Sequence, residues 1–173
     1  MSPLLRPAAD EFAQYFAGYV NLVPDGDVLA MLRRQGADMT ALLRDVPESM
    51  GDRAYSPGKW TLKESLLHLI DTERVFTYRL LRVARGDATP LPGFDQDAWV
   101  PNSGASARTM RSLLAEFATV RVATLALIES LDDAAGERRG VSSEKPVSAR
   151  AIVYIIAGHD LHHYAFFRDK YLA

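Results

Sequence analysis

Apolar residues recur at spacings of three and four along most of this chain, the period that lays one apolar stripe along an α-helix. Leu29, Leu32, Met39, Leu42, Leu43 and Val46 form such a stripe over 27–46, behind Asp27, whose carboxylate can accept from the free amides of a first turn. A second stripe, Leu62, Leu66, Leu69, Ile70, Phe76, Leu80 and Val83, follows Thr61 and Glu64, which have capping-box spacing, and runs to Arg85 before Gly86. A third, Met110, Leu113, Phe117, Val120, Thr124, Leu127 and Leu131, starts behind Ser106. The last, Ile152, Ile155, Ile156, Phe166 and Phe167, lies within 147–172, with Ser148 as its cap. A shorter aromatic segment, 8–23, carries Phe12, Tyr15, Phe16 and Tyr19 and ends at Pro24-Asp25-Gly26. No strand-like alternation of useful length interrupts this pattern. It predicts an all-α fold: a four-helix bundle preceded by one short extra N-terminal helix.

The connections differ in length. Residues 47–60 and 132–146 read as turns, whereas 86–106 is long, dense in Pro, Gly, Asp and Asn, and carries Leu91, Phe94, Trp99 and Val100. A loop of that length with buried-looking aromatics is expected to be an ordered crossover or lid.

At 173 residues, 48% hydrophobic, the chain can bury one good core but not two independent ones, so residues 1–173 are expected to form a single domain. The net charge of −2, without clustered Lys and Arg, speaks against a nucleic-acid partner. No stretch approaches the roughly 20 apolar residues that cross a bilayer, and residues 1–12 lack a signal-peptide pattern, so a soluble, cytoplasmic protein with no membrane partner is expected. Cysteine is absent, which excludes disulfides, zinc–thiolate sites and a cysteine nucleophile. Any metal site must draw on His, Asp or Glu.

Three of the four histidines lie in the last helix. A turn of about 100° per residue places His159 and His163 inward with Ile152, Ile156 and Phe167, and His162 on the margin near Asp169. Residues four apart sit one above the other, so the two imidazoles can converge on one point. His68, two turns into the helix over 61–85, can meet them across the bundle. The plain alternative is a set of hydrogen-bonded core histidines. As ligands, three imidazoles leave a coordination position open, the pattern of a catalytic site, and suit zinc, with nickel, iron or manganese as alternatives. Asp71, one turn beyond His68, can orient an imidazole, hold a hydrogen bond behind a ligand or serve as a base, or else pair at the surface with Arg74 or Arg79. Glu116 and Glu129 read as exposed charges. His159-Asp160-Leu161-His162-His163 also approaches the H-E-x-x-H zinc-protease helix, but aspartate replaces the glutamate base and only ten residues follow for a third ligand.

Three segments together, YSPGKWTLKESLLHLIDTERVFTYRLLRVARGD at 55–87, LPGFDQDAW at 91–99 and AIVYIIAGHDLHHY at 151–164, resemble the DinB/YfiT-like family of damage-inducible, metal-dependent bundle proteins, and the likeness covers nearly the whole chain. The resemblance implies a divalent metal held by His68, His159 and His163, a bundle with a long crossover rather than simple up-and-down connectivity, and a homodimer. Its characterised members include transferases of low-molecular-weight thiols and a thiol-dependent isomerase. It therefore implies a small-molecule substrate and a thiol co-substrate, with S-transferase-type chemistry. From the residues alone, the same open site can activate water for hydrolysis. A non-catalytic stress-response binding module, with Phe94 and Trp99 packed over the metal and no cavity, is the third reading; an enzyme is expected to carry a cavity beside the open position.

Overall fold

The computed structural model describes residues 4–173; residues 1–3, part of the segment read above for a signal sequence, lie outside the described residues. Four long helices form a bundle: α2 (Val28–Leu43), α4 (Leu62–Ala84), α6 (Met110–Glu129) and α8 (Ala149–Phe166), with short helices α1 (Ala17–Leu22), α3 (Glu48–Gly51), α5 (Gln96–Trp99) and α7 (Asp133–Glu137) between or before them. Most starts agree with the caps read from sequence. Asp27 accepts from the amides of Leu29 and Ala30, Thr61 and Glu64 close a full capping box, and Ser148 accepts from Ala151.

The main packing pairs are α2 with α6 and α8, and α4 with α6 and α8, so α2–α4 and α6–α8 are the diagonals of the bundle. Two of the three steps between successive long helices thus cross a diagonal. The long connection over 86–106 links the neighbours α4 and α6.

Several elements differ from the sequence expectation. The N-terminal segment is two 3-10 turns, Ala9–Glu11 and Gln14–Phe16, followed by the six residues of α1. The third long helix is capped by Thr109, which accepts from Ser112, and not by Ser106, which lies in a 3-10 turn. Residues 132–146 contain α7 and most of an antiparallel hairpin, β1 (Arg139–Ser142) paired with β2 (Lys145–Ser148), so Val147 belongs to a strand. Four-residue strands are too short to show a period of two against a helical background. The last helix gives way to a π-helical turn at Phe167–Tyr171, where the Tyr171 hydroxyl donates to the Trp60 carbonyl at 2.6 Å.

Ser148 also donates to Glu11 at 2.6 Å, and the Arg150 guanidinium beside that buried carboxylate helps hold its pKa down to about 2. A carboxylate whose folded pKa lies below its unfolded value of about 4.5 stabilises the fold above that value, and the contribution is lost as pH falls toward 2. Acid unfolding followed by circular dichroism is expected to show Glu11→Gln losing up to about 3 kcal/mol at pH 7 and little at pH 2. Equal losses at both pH values would refute this role.

The core has two apolar halves. One gathers Leu32, Phe76, Leu80, Ile128, Ile152 and Ile156; the other gathers Met39, Leu66, Ile70, Phe117 and Phe167. Between them every long helix contributes buried polar groups: Gln35 from α2, His68, Thr72 and Glu73 from α4, Arg121 and Thr124 from α6, and His159, Asp160 and His163 from α8. This polar layer divides by helix face. Arg121, Glu73 and Asp160 make a buried ion cluster on one side, and the three histidines collect on the other.

Candidate functional site

His68, His159 and His163 are each less than 9% exposed, and one ring nitrogen from each lies within 4.8 Å of the others. Nε2 of His159 and Nε2 of His163 are 3.1 Å apart, as the one-turn spacing on α8 requires. His68 enters from α4, its ring centroid 5.4 Å from that of His159 and 5.2 Å from that of His163. Its Nδ1 is 3.4 Å from the Thr72 hydroxyl one turn along α4, which directs Nε2 away from Thr72. His162 is exposed, as its helical rotation implies.

Burial keeps these imidazoles uncharged. It pushes His68 down to about 4 and His159 to about 3, and lowers His163 well below the ordinary histidine range, with the neighbouring rings adding to the effect at His159 and His163. Neutral imidazole is the form that donates a lone pair to a metal. Nδ1 of His163 is buried without a hydrogen-bond partner among the described residues. Two nitrogens bound to one zinc at 2.0–2.1 Å in a tetrahedral arrangement lie about 3.3 Å apart, close to the spacing of the His159–His163 pair. The donor set and its spacing therefore fit a divalent ion of zinc type.

The carboxylates near these residues do other things. Asp160 points to α6, where its Oδ2 is 3.3 Å from Nη1 of Arg121, so it does not occupy the role of the glutamate in H-E-x-x-H. Asp71 pairs with Arg74 at 3.3 Å. Glu116, read from sequence as a free surface charge, is half-buried between Arg74 and Arg108, whereas Glu129 is exposed and pairs with Arg33.

A cavity of about 690 Å³ opens beside His159. Tyr19, Phe16, Thr72, Phe76 and Phe94 line it near the histidines, and Arg79, Ser143 and Lys145 line it farther along. Tyr19 reaches this place because Gly158 lets the α1 backbone approach α8 closely; a Cβ at Gly158 would lie 2.0 Å from the Tyr19 carbonyl oxygen. Phe94 forms part of the wall and rests on Trp99, ring centroids 4.8 Å apart, so the long connection borders the cavity without filling it. Sequence reading singled out neither Thr72 nor Arg79 as site residues. Their signal was present: positions 68, 72, 76 and 79 follow one face of a helix.

A family model described as the DinB superfamily matches residues 31–167. The chain belongs to the DinB superfamily. That match spans both helices that carry the buried histidines. No curated protein matches the chain. Among solved structures, the DinB-superfamily fold seen here is similar to that of YfiT from Bacillus subtilis, with a TM-score of 0.73 and 16% sequence identity over 94% of this chain and 89% of that one. That protein is described as a probable metal-dependent hydrolase with an unusual four-helix bundle topology.

Proposed function

We propose that this DinB-superfamily protein is a divalent-metal-dependent enzyme acting on a small molecule in the cavity beside His159, with His68, His159 and His163 as the metal ligands. The observation that carries the reading is the convergence of three buried, uncharged imidazoles beside a cavity large enough for a small molecule. A core-histidine reading does not account for the cavity beside the three rings. A binding module closed by Phe94 and Trp99 is disfavoured by the same open space.

The chemistry such an ion supplies is Lewis acidity, which lowers the pKa of a thiol or a water at its open position. Thr72 fixes the ring of His68. Tyr19, Phe16 and Phe76 give the cavity an apolar wall beside His159. The cavity lining holds no carboxylate, while Asp71 lines a small adjoining pocket with His68 and Thr72. A thiol and a water each lose a proton when bound at such an ion, so the lining alone does not separate transfer from hydrolysis. The resemblance to DinB/YfiT-like proteins that use low-molecular-weight thiols supports transfer of a small thiol to an electrophile. The description of the Bacillus subtilis protein supports hydrolysis as the second reading.

Cobalt(II) separates the two. Addition of cysteine or glutathione to the cobalt-loaded protein is expected to produce a thiolate-to-cobalt absorption band in the near ultraviolet, lost in His163→Ala. No band with either thiol, together with thiol-independent cleavage of 4-nitrophenyl esters, would replace transfer by hydrolysis.

A further inference from the structure

The cavity is electrically one-sided. Its fifteen lining residues include two cations, Arg79 and Lys145, and no Asp or Glu. Arg79 is 4% exposed yet has no carboxylate within ion-pair distance among the described residues. It donates only through Nη2, to the Pro92 carbonyl at 2.7 Å and the Ser143 hydroxyl at 3.4 Å. Nε and Nη1 find no acceptor among the described residues. The guanidinium lies near the rings of Phe76 and Phe94, 5.7 and 5.4 Å from their centroids, which holds it beside the cavity. Burial works against this charge and lowers its pKa, with no anion to offset the cost.

The hairpin supplies the second cation. Its two-residue turn places Ser143 at φ 52° and Glu144 at φ 63°, a left-handed conformation that residues other than Gly and Asn adopt at some cost. The Leu91 amide donates to Val141 and the Ser143 amide donates to Leu91, each at 2.9 Å, so the long connection over 86–106 ties the turn down. This sets Ser142, Ser143 and Lys145 along the cavity wall with Arg79.

His68, Thr72, Phe76 and Arg79 descend one face of α4, and eleven residues at 1.5 Å each separate the ends by about 16 Å along the axis. We propose that Arg79 and Lys145 form an anion-binding position at the far end of the cavity. Its ligand is an elongated small acid whose carboxylate sits there, whose apolar middle crosses Phe16 and Phe76, and whose other end lies at the histidines. The metal-site reading enters only in naming that other end as the reacting one. Nε–H and Nη1–H, on opposite sides of the guanidinium, are each free to donate a charge-assisted hydrogen bond to a carboxylate oxygen, since Nη2 is engaged by Pro92 and Ser143.

Octanoate and octanamide test this by calorimetry, since they share a chain and differ in charge. Octanoate is expected to bind the wild-type protein at least tenfold more tightly than octanamide. Lys145→Met is expected to weaken octanoate severalfold, and Arg79→Gln to remove the preference, while octanamide binding stays unchanged in both. Lys145 is exposed, so its variant keeps the test decisive even where Arg79→Gln proves unstable. The preference is expected to persist in metal-free His68→Ala, which separates this site from the metal reading: acid preference without any metal binding would still support the anion position. Equal binding of acid and amide, no binding of octanoate at millimolar concentration, or a preference lost in His68→Ala and kept in both cation variants would overturn it.

Discussion

Gly158→Ala is expected to cost more than about 3 kcal/mol in urea unfolding, although it adds one methyl group to a helix and removes the residue with poor helical propensity. The reason is the neighbour. The new Cβ would sit 2.0 Å from the carbonyl oxygen and 2.4 Å from the carbonyl carbon of Tyr19, and backbone atoms of α1 cannot turn aside as a flexible side chain does. Relief requires α1 to leave α8, which also withdraws the Tyr19 ring from its edge-on contact with His159, centroids 5.3 Å apart. Gly18→Ala is the matched control. It lies in α1 with nothing within 4 Å of an added Cβ and is expected to be neutral or stabilising by up to about 1 kcal/mol. A Gly158→Ala protein as stable as the Gly18→Ala protein would show that α1 does not pack as described.

Arg121→Met is expected to destabilise by about 3–5 kcal/mol. Arg121 donates through Nε and Nη2 to the two oxygens of Glu73, at 2.9 and 2.8 Å, and through Nη1 to the Leu32 carbonyl at 2.9 Å and to Asp160 at 3.3 Å. All three side chains are at most 3% exposed. Burial opposes the guanidinium's charge, but Asp160 and Glu73 more than offset that and hold it protonated. Removal of the cation strands two carboxylates in the core, a far greater cost than the net strength of the cluster. Neutralising the whole cluster, with Arg121→Met, Glu73→Gln and Asp160→Asn together, is therefore expected to recover stability relative to Arg121→Met alone. Arg33→Met, which breaks an exposed pair with Glu129, is expected to cost no more than about 1 kcal/mol under the same urea titration. Similar losses for Arg121→Met and Arg33→Met would remove the ion cluster from any role in holding the four helices.

Helical periodicity and capping residues were sufficient to read the four long helices and the inward turn of His159 and His163, because both depend on local spacing. What depends on tertiary pairing was hidden. The apolar seam on α6 pointed to Val120 as core, yet Val120 is half-buried and the next residue, Arg121, is buried, since its partners lie on α4 and α8. Asp160 was legible only as part of a near-match to a protease helix, and its neighbour on α6 had no sequence signal. The hairpin over 139–148 escaped because its pairing is short and its turn uses Ser143 and Glu144 where Gly or Asn would mark it. Arg79 read as a surface charge available to Asp71; the hairpin and the long connection over 86–106 bury it.

Metal content by elemental analysis, on protein without a histidine tag, tests the three-histidine centre most directly. After zinc loading and dialysis, the wild-type protein and His162→Ala are expected to retain close to one equivalent, while His68→Ala, His159→Ala and His163→Ala bind it more weakly by roughly a hundredfold or more. A folded wild-type protein that retains no divalent ion, or one whose metal is lost equally in His162→Ala, would contradict the centre and return His68, His159 and His163 to the core of the bundle.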